Sequence, residues 1–118
     1  MLTSKEINLY RGDDRTLEIS VTDSQGQPVD LTGSSLKFSV KQSSSDVAYL
    51  VQKSSDFSSE ISITDPIGGV FQIYLVPGDS NGLTPGAYQY DIELTSSAGK
   101  IYTVLRSELT VMDDITRP

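Results

Sequence analysis

Residues 83–94 read Leu83-Thr84-Pro85-Gly86-Ala87-Tyr88-Gln89-Tyr90-Asp91-Ile92-Glu93-Leu94 and carry the clearest structural signal in the chain. The pair Pro85-Gly86 suits a type II turn, because proline presets φ and glycine tolerates a positive φ. Beyond the turn, apolar and polar residues alternate as in a strand with one buried face, so we expect Tyr88 and Tyr90 in the core. A tyrosine that follows a sharp corner and leads such a strand is typical of β-sandwiches, in which its hydroxyl bonds back to nearby backbone.

Short runs of the same kind recur along the chain, separated by turn-forming residues. Residues 17–22 and 36–41 alternate with a period of two, with apolar side chains predicted inward and polar or charged ones outward. A turn or a single helical turn is predicted at residues 77–82, and further strands are predicted at residues 7–9, 47–51, 61–63, 70–75 and 101–111. No stretch shows helical periodicity. The chain is therefore predicted to be all-β, an antiparallel β-sandwich of about seven or eight strands.

The last predicted strand is the least regular one. Ser107 interrupts the apolar alternation of residues 101–111, and a β-bulge near Arg106-Ser107 would accommodate the break. The length of 118 residues indicates one domain. We expect the sandwich to occupy residues 1–111 and residues 112–118 to form a short C-terminal tail.

The composition argues against several classes of function. The chain has no cysteine and no histidine, which removes Ser-His-Asp and Cys-His catalysis and every zinc site built from those residues. Its net charge of −7 repels phosphate, so no nucleic-acid partner is expected. No apolar run approaches the ~18 residues of a membrane span, so no membrane partner is expected either. We predict that the protein is not an enzyme and has no catalytic residues, cofactor or metal site.

Three aromatic residues are candidates for a contact surface. Tyr74 and Tyr102 fall in the opposite phase to their neighbours Ile73 and Ile101, so their rings are predicted to be exposed. Tyrosine brings contact area at a low entropic cost, which suits it to interfaces. Phe57 lies among serines, and it either covers an open end of the core, which we favour, or stands exposed for contact.

Three motifs suggest a more specific chemistry, and each also has a plainer structural explanation. Arg11-Gly12-Asp13 is the tripeptide that integrins read, but Gly-Asp is also ordinary turn chemistry between strands. Residues 79–82 begin like a calcium loop, yet they lack its ligand spacing and distal Glu, so Asp79 is expected to cap a turn. Asp91 and Glu93 share one face of a strand at about 6.5 to 7 Å. That separation is compatible with glycosidase carboxylates, but we expect a solvated sheet face.

The order and spacing of four motifs resemble those of a known family. The motifs are Asp30-Leu31-Thr32-Gly33 before the strand at residues 36–40, Gly69-Val70-Phe71-Gln72-Ile73-Tyr74-Leu75 after Asp65, the corner Pro85-Gly86-Ala87-Tyr88, and the closing Leu109-Thr110-Val111 with Ile115-Thr116. Together they resemble the small immunoglobulin-like domains of tailed-bacteriophage virions, above all the N-terminal domain of baseplate upper proteins. The family often has glycine where Ser107 stands here. Baseplate upper proteins continue into a long C-terminal region that binds receptor-binding proteins, so their full adaptor role is not carried over to a chain that ends at Pro118.

The resemblance implies an immunoglobulin-like β-sandwich and a role inside the virion. It implies a non-enzymatic structural protein that docks onto tail, baseplate or major capsid proteins through strand edges and loop ends. A homo-oligomer is compatible with it. The alternatives are a capsid decoration protein and a module that binds carbohydrate or another host-surface molecule, although the chain has no tryptophan for an aromatic platform. The residues do not separate a head location from a tail location.

Overall fold

The computed structural model describes residues 6–43, 45 and 48–115. Alternating burial along the strands at residues 15–20, 35–41 and 86–95 confirms the predicted β-sandwich, in which apolar residues point inward and polar residues outward. A single helical turn, α1, occupies part of the predicted turn region. The elements are β1 (Ile7–Tyr10), β2 (Arg15–Ser20), β3 (Ser35–Lys41), β4 (Val51–Ser54), β5 (Ile61–Asp65), β6 (Val70–Leu75), α1 (Pro77–Ser80), β7 (Gly86–Thr95) and β8 (Ile101–Met112).

The strands form two sheets. One has five strands in the order β1-β8-β7-β3-β4, and the other has three in the order β2-β6-β5. Neighbouring strands are antiparallel except for β1, which pairs in parallel with the second half of β8. The sandwich is thus not purely antiparallel as predicted. The parallel direction is possible because β1 joins no hairpin, since the next strand, β2, belongs to the other sheet.

The core lies between the inner faces of the two sheets. Phe38 on β3 and Tyr90 on β7 pack with ring centroids 5.5 Å apart, in a tilted arrangement. Phe71 and Ile73 on β6 are fully buried opposite them. Tyr88 and Tyr90 are buried, which confirms their predicted place in the core.

The irregularity in β8 lies at a different residue from the one predicted. The register of β7 and β8 shifts between Ile92, which pairs with Leu105, and Glu93, which pairs with Thr103. Val104 is the extra residue, and both Val104 and Leu105 are buried. Two consecutive apolar side chains can face one core only where the alternation is interrupted, so the bulge lies here. The prediction of a bulge near Arg106-Ser107 was wrong, since Ser107 is in regular register with Tyr90.

Two further local predictions differ from the structure. The strand predicted at residues 47–51 begins only at Val51; residues 48–50 are exposed and belong to no strand, and Val47 lies outside the described residues. The corner at Pro85-Gly86 is not a type II turn, because Gly86 has a φ of 152° rather than the value of about 80° that such a turn requires. Gly86 instead begins β7.

β8 ends at Met112, one residue beyond the end predicted for the sandwich. The division into a domain at residues 1–111 and a tail at residues 112–118 stays a prediction. No helix in the described ranges is long and apolar enough to span a membrane.

Candidate functional site

The corner that precedes β7 places this strand in the sheet. The Tyr88 hydroxyl donates a hydrogen bond to the backbone carbonyl of Thr84 at 2.5 Å, as the sequence predicted for a tyrosine at this position. This bond fixes the start of β7 relative to its preceding loop. The outward side chains of β7, namely Gln89, Asp91 and Glu93, are thereby held in the middle of the five-stranded sheet.

The outer face of that sheet gathers a set of charged and polar side chains, which we call the charged face. Lys37 on β3 is the register partner of Glu93 on β7, and Ser39 is the partner of Asp91. Asp91 is in turn the partner of Arg106 on β8. The charged face consists of Lys37, Ser39, Lys41, Gln52, Gln89, Asp91, Glu93 and Arg106, which together with Tyr49 and Tyr90 line a shallow depression of about 250 Å³.

The charges on this face are arranged by strand. β3 carries only cations, Lys37 and Lys41, whereas β7 carries only anions, Asp91 and Glu93. In the described part of the chain no ion pair within 4.0 Å joins Lys37, Asp91, Glu93 or Arg106 to another residue. Lys41 lies over the ring of Tyr49, with its Nζ 5.0 Å from the ring centroid. The face therefore presents separated columns of opposite charge on a protein with a net charge of −7.

Tyr90 lines the depression from the side of the core. Burial raises the pKa of its hydroxyl to about 12. The ring belongs to the core, so Tyr90 contributes little exposed surface to the charged face.

The three predicted contact residues lie in three different parts of the fold. Tyr74 is on β6, on the outer face of the three-stranded sheet, where it is half-buried and donates its hydroxyl to Gln72 Oε1 at 2.9 Å. Tyr102 is near the start of β8 and pairs with the inward-facing Leu94, so the outward phase predicted for it was wrong, although the residue is 42% exposed. Phe57 is in the β4–β5 connection and is 61% exposed, so the covering role that we favoured for it was wrong. These residues do not form one continuous site.

Sequence reasoning missed one strongly exposed apolar residue next to Tyr102. Ile101 is 63% exposed and pairs with Thr95 on the outer face of the sheet. The prediction that Ile101 faces inward assumed one unbroken alternation along the last strand. The bulge at Val104 reverses the phase, and only the pairing of β8 with β7 shows where the bulge lies.

Two of the motifs have structural partners that explain them. Arg11 of the Arg-Gly-Asp tripeptide forms an ion pair with Asp114, with Nη2 and Oδ1 2.9 Å apart, and its side chain is only 23% exposed. Asp79, where a calcium loop was considered, instead pairs with Lys53 Nζ at 2.8 Å and accepts the backbone N–H of Val76. Asp79 thus caps the turn at α1 as expected. Asp91 and Glu93 lie on the outer sheet face, also as expected.

Comparison with known proteins identifies the fold and the family. Residues 2–115 match the family described as the BppU N-terminal domain. None of the curated proteins matches the chain. Among solved structures, one described as "The three dimensional structure of NK cell receptor Nkp44, a triggering partner in natural cytotoxicity" has a TM-score of 0.50 and 16% identity, and the match covers 94% of this chain and 100% of that chain. At that identity the likeness shows the fold alone, an immunoglobulin-like β-sandwich.

Proposed function

Because the chain belongs to the family of N-terminal domains of phage baseplate upper proteins, we propose that it is a non-enzymatic structural module that docks onto other proteins of the phage tail or baseplate. The observation that carries this proposal is the extent of the family match. Residues 2–115 include both sheets and every strand from β1 to β8, so the likeness concerns the whole sandwich and not one motif.

The exposed aromatic side chains supply the anchors for docking. Protein interfaces are enriched in aromatic residues, and a few such anchors carry most of the binding energy. Phe57 and Tyr102 are the better candidates among the predicted contact residues because both are substantially exposed. Tyr74 is a secondary candidate, since it is half-buried and its hydroxyl already bonds to Gln72.

The location of the protein in the particle is the first test. Intact particles would be labelled with a gold-conjugated antibody against the protein and imaged by electron microscopy. Gold at the tail or its tip supports the proposal. Gold on the capsid would replace it with a capsid decoration role, and particles without gold would favour a host-surface or carbohydrate-binding module outside the virion.

The contribution of the two anchors is tested by substitution. We expect Phe57→Ser and Tyr102→Ser each to reduce incorporation into particles by about tenfold, because a lost aromatic anchor costs at least ~1.4 kcal/mol of binding. Ile67→Ser is the matched control, since Ile67 is also a large apolar residue and is 75% exposed on the β5–β6 turn. Equal incorporation of all three variants, with unchanged melting temperatures, would contradict docking through these aromatics.

A further inference from the structure

The charged face fits a second copy of itself. We propose that two copies of the chain associate face to face through the charged face, about a two-fold axis that runs parallel to the strands between β3 and β7. This inference is independent of the proposed virion role, because it concerns the isolated chain.

The strand-wise arrangement of charge is the basis for the proposal. Lys37 and Glu93 occupy the same row of the sheet, on adjacent strands and on the same outer face. A two-fold axis between those strands exchanges their positions, so Lys37 of one copy lies over Glu93 of the other, and the reverse contact forms at the same time. In the same arrangement Asp91 lies over the hydroxyl of Ser39, its register partner. Every charge on the two central strands then meets a group that is opposite in charge or able to hydrogen-bond.

The alternative face-to-face dimer is unfavourable. A two-fold axis that lies in the plane of the interface and crosses the strands would place β3 over β3, and Lys37 would approach the lysines of the second copy. β7 would likewise lie over β7, so that Asp91 and Glu93 would approach the same carboxylates. Like charges in contact across an interface strongly disfavour association. The charge pattern therefore selects one relative orientation as well as one partner.

The side chains that carry the contacts are available to a partner. Lys37 and Glu93 are register partners, and yet no ion pair within 4.0 Å engages either of them in the described residues. Lys37 is exposed, and Asp91 and Glu93 are only partly buried. A partner can thus pair with these groups without breaking a contact within the sheet.

The size and polarity of the face predict a weak, salt-sensitive dimer. Four strands spaced about 4.8 Å apart, three of them contributing about six residues and β4 four, give a face of at most roughly 19 by 20 Å, on the order of 400 Å². A stable interface buries about 800 Å² per partner. The contacts are mostly between charged groups, and 1 M salt reduces the Debye length to about 3 Å. We therefore expect association at high protein concentration and low salt, and dissociation at high salt.

Sedimentation equilibrium on the purified chain, with two charge reversals, tests the inference. Lys37→Glu places like charges opposite each other at both symmetric contacts, and so does Glu93→Lys. Each variant alone should dimerise at least about tenfold more weakly than the original chain. An equimolar mixture of the two variants should recover association as a heterodimer, because each new charge then faces its complement. A purely structural defect in either variant would not be repaired by mixing.

Two reversals outside the face serve as controls. Glu18→Lys lies on the outer face of the three-stranded sheet, and Lys100→Glu lies in the β7–β8 hairpin loop. Both should dimerise like the original chain, and thermal melting should confirm that all variants are folded. The proposal is overturned if the original chain stays monomeric at millimolar concentration and low salt, if the controls weaken the dimer as much as the reversals do, or if the mixed variants fail to associate.

Discussion

At the scale of single residues, the Tyr88 hydroxyl shows how one group secures a strand that carries the candidate site. Its ring is buried with the core, while its oxygen reaches the carbonyl of Thr84 across the corner. Thr84 itself is exposed, so water can replace the hydroxyl if it is removed. The bond consequently contributes little to the free energy of unfolding, and its main effect is to fix the position of the Thr84 carbonyl relative to β7.

Tyr88→Phe should lower the free energy of unfolding by about 1 kcal/mol, the net value of one hydrogen bond to an acceptor that can be rehydrated. Urea denaturation monitored by circular dichroism would measure the change. Tyr102→Phe removes the hydroxyl of an exposed tyrosine and should leave stability within about 0.5 kcal/mol of the original. Equal effects of the two substitutions would argue against a stabilising corner bond.

Because of Tyr90, the free energy of unfolding is expected to fall at alkaline pH. Burial raises its pKa from the ordinary 10.0 to about 12 in the folded state. Stability owed to the neutral hydroxyl is complete below pH 10 and is lost as the pH rises through about 12, because the unfolded chain releases the proton first. Melting temperatures measured between pH 9 and pH 12 should fall less steeply for Tyr90→Phe than for the original chain. Parallel curves would show that Tyr90 does not contribute to the decline.

At the scale of elements, the β5–β6 turn is tightly constrained at Gly69. Gly69 has a φ of 72°, and a Cβ at this position would lie 2.7 Å from the carbonyl oxygen of Val21 and 2.8 Å from that of Val29. Its own carbonyl accepts the N–H of Val21 at 2.8 Å. The turn therefore packs its backbone against the backbone just beyond the end of β2, where Val21 is still part of the core.

Gly69→Ala should destabilise the protein by more than about 2 kcal/mol, because a positive φ and a backbone clash act together. Gly26→Ala is the matched comparison: Gly26 has a φ of 78°, but no atom lies within 4 Å of the added Cβ. It should cost only the conformational part, about 1 kcal/mol. Chemical denaturation of both variants would measure the difference, and equal losses would exclude the clash as a cause.

The edge strand β4 is held to α1 by a partly buried ion pair. Lys53 is inward-facing, opposite Phe38, and its side chain is 9% exposed. Its Nζ lies 2.8 Å from Asp79 Oδ2, which also accepts the N–H of Val76. The pair joins the edge of the five-stranded sheet to the connection between β6 and β7.

Asp79→Ala should cost about 3 kcal/mol, because it leaves the Lys53 ammonium buried without its counter-charge. Lys53→Met should cost less, since Asp79 keeps the N–H of Val76 and is more exposed than the lysine. A double-mutant cycle on unfolding free energies would isolate the coupling between the two side chains. A coupling near zero would show that the pair is not a stabilising contact.

At the scale of the whole molecule, Arg11 connects the β1–β2 turn to the residues at and after the end of β8. Its guanidinium Nε donates to Asp114 Oδ1 at 2.9 Å, and its backbone N–H donates to the carbonyl of Met112 at 2.9 Å. The β1–β2 turn thus holds the residues that follow β8.

Arg11→Ala should release Asp114 and Ile115 while leaving β8 intact, because the strand keeps its own backbone pairing. Heteronuclear NOE measurements should show lower values at residues 114 and 115 and no change at Met112. Arg15→Ala is the control, since that guanidinium donates to the Asn8 carbonyl on the exposed surface. Unchanged values at residues 114 and 115 would mean that the ion pair does not hold this segment.

The sequence predicts which side chains of the charged face point outward, but not which of them lie next to each other on neighbouring strands. Period-two alternation predicts that Lys37, Asp91 and Glu93 point outward, because the direction of a side chain in a strand depends only on its position along that strand. The same alternation cannot show that β3 and β7 are neighbours or that Lys37 stands beside Glu93. It also leaves Lys53 unplaced, because the strand predicted at residues 47–51 ends before it, and only the pairing with β3 shows that this lysine lies opposite the buried Phe38.

The sequence by itself determined the sandwich class, the buried corner tyrosine and the outward polar rows, since each depends on residues that are close together in the chain. Only the tertiary structure decided the strand order, the parallel pairing of β1 with β8, the bulge at Val104 and the exposure of Ile101 and Phe57. These features depend on register and on contacts between distant segments. The energy of such contacts comes from burial and pairing across the sheets, which no local pattern encodes.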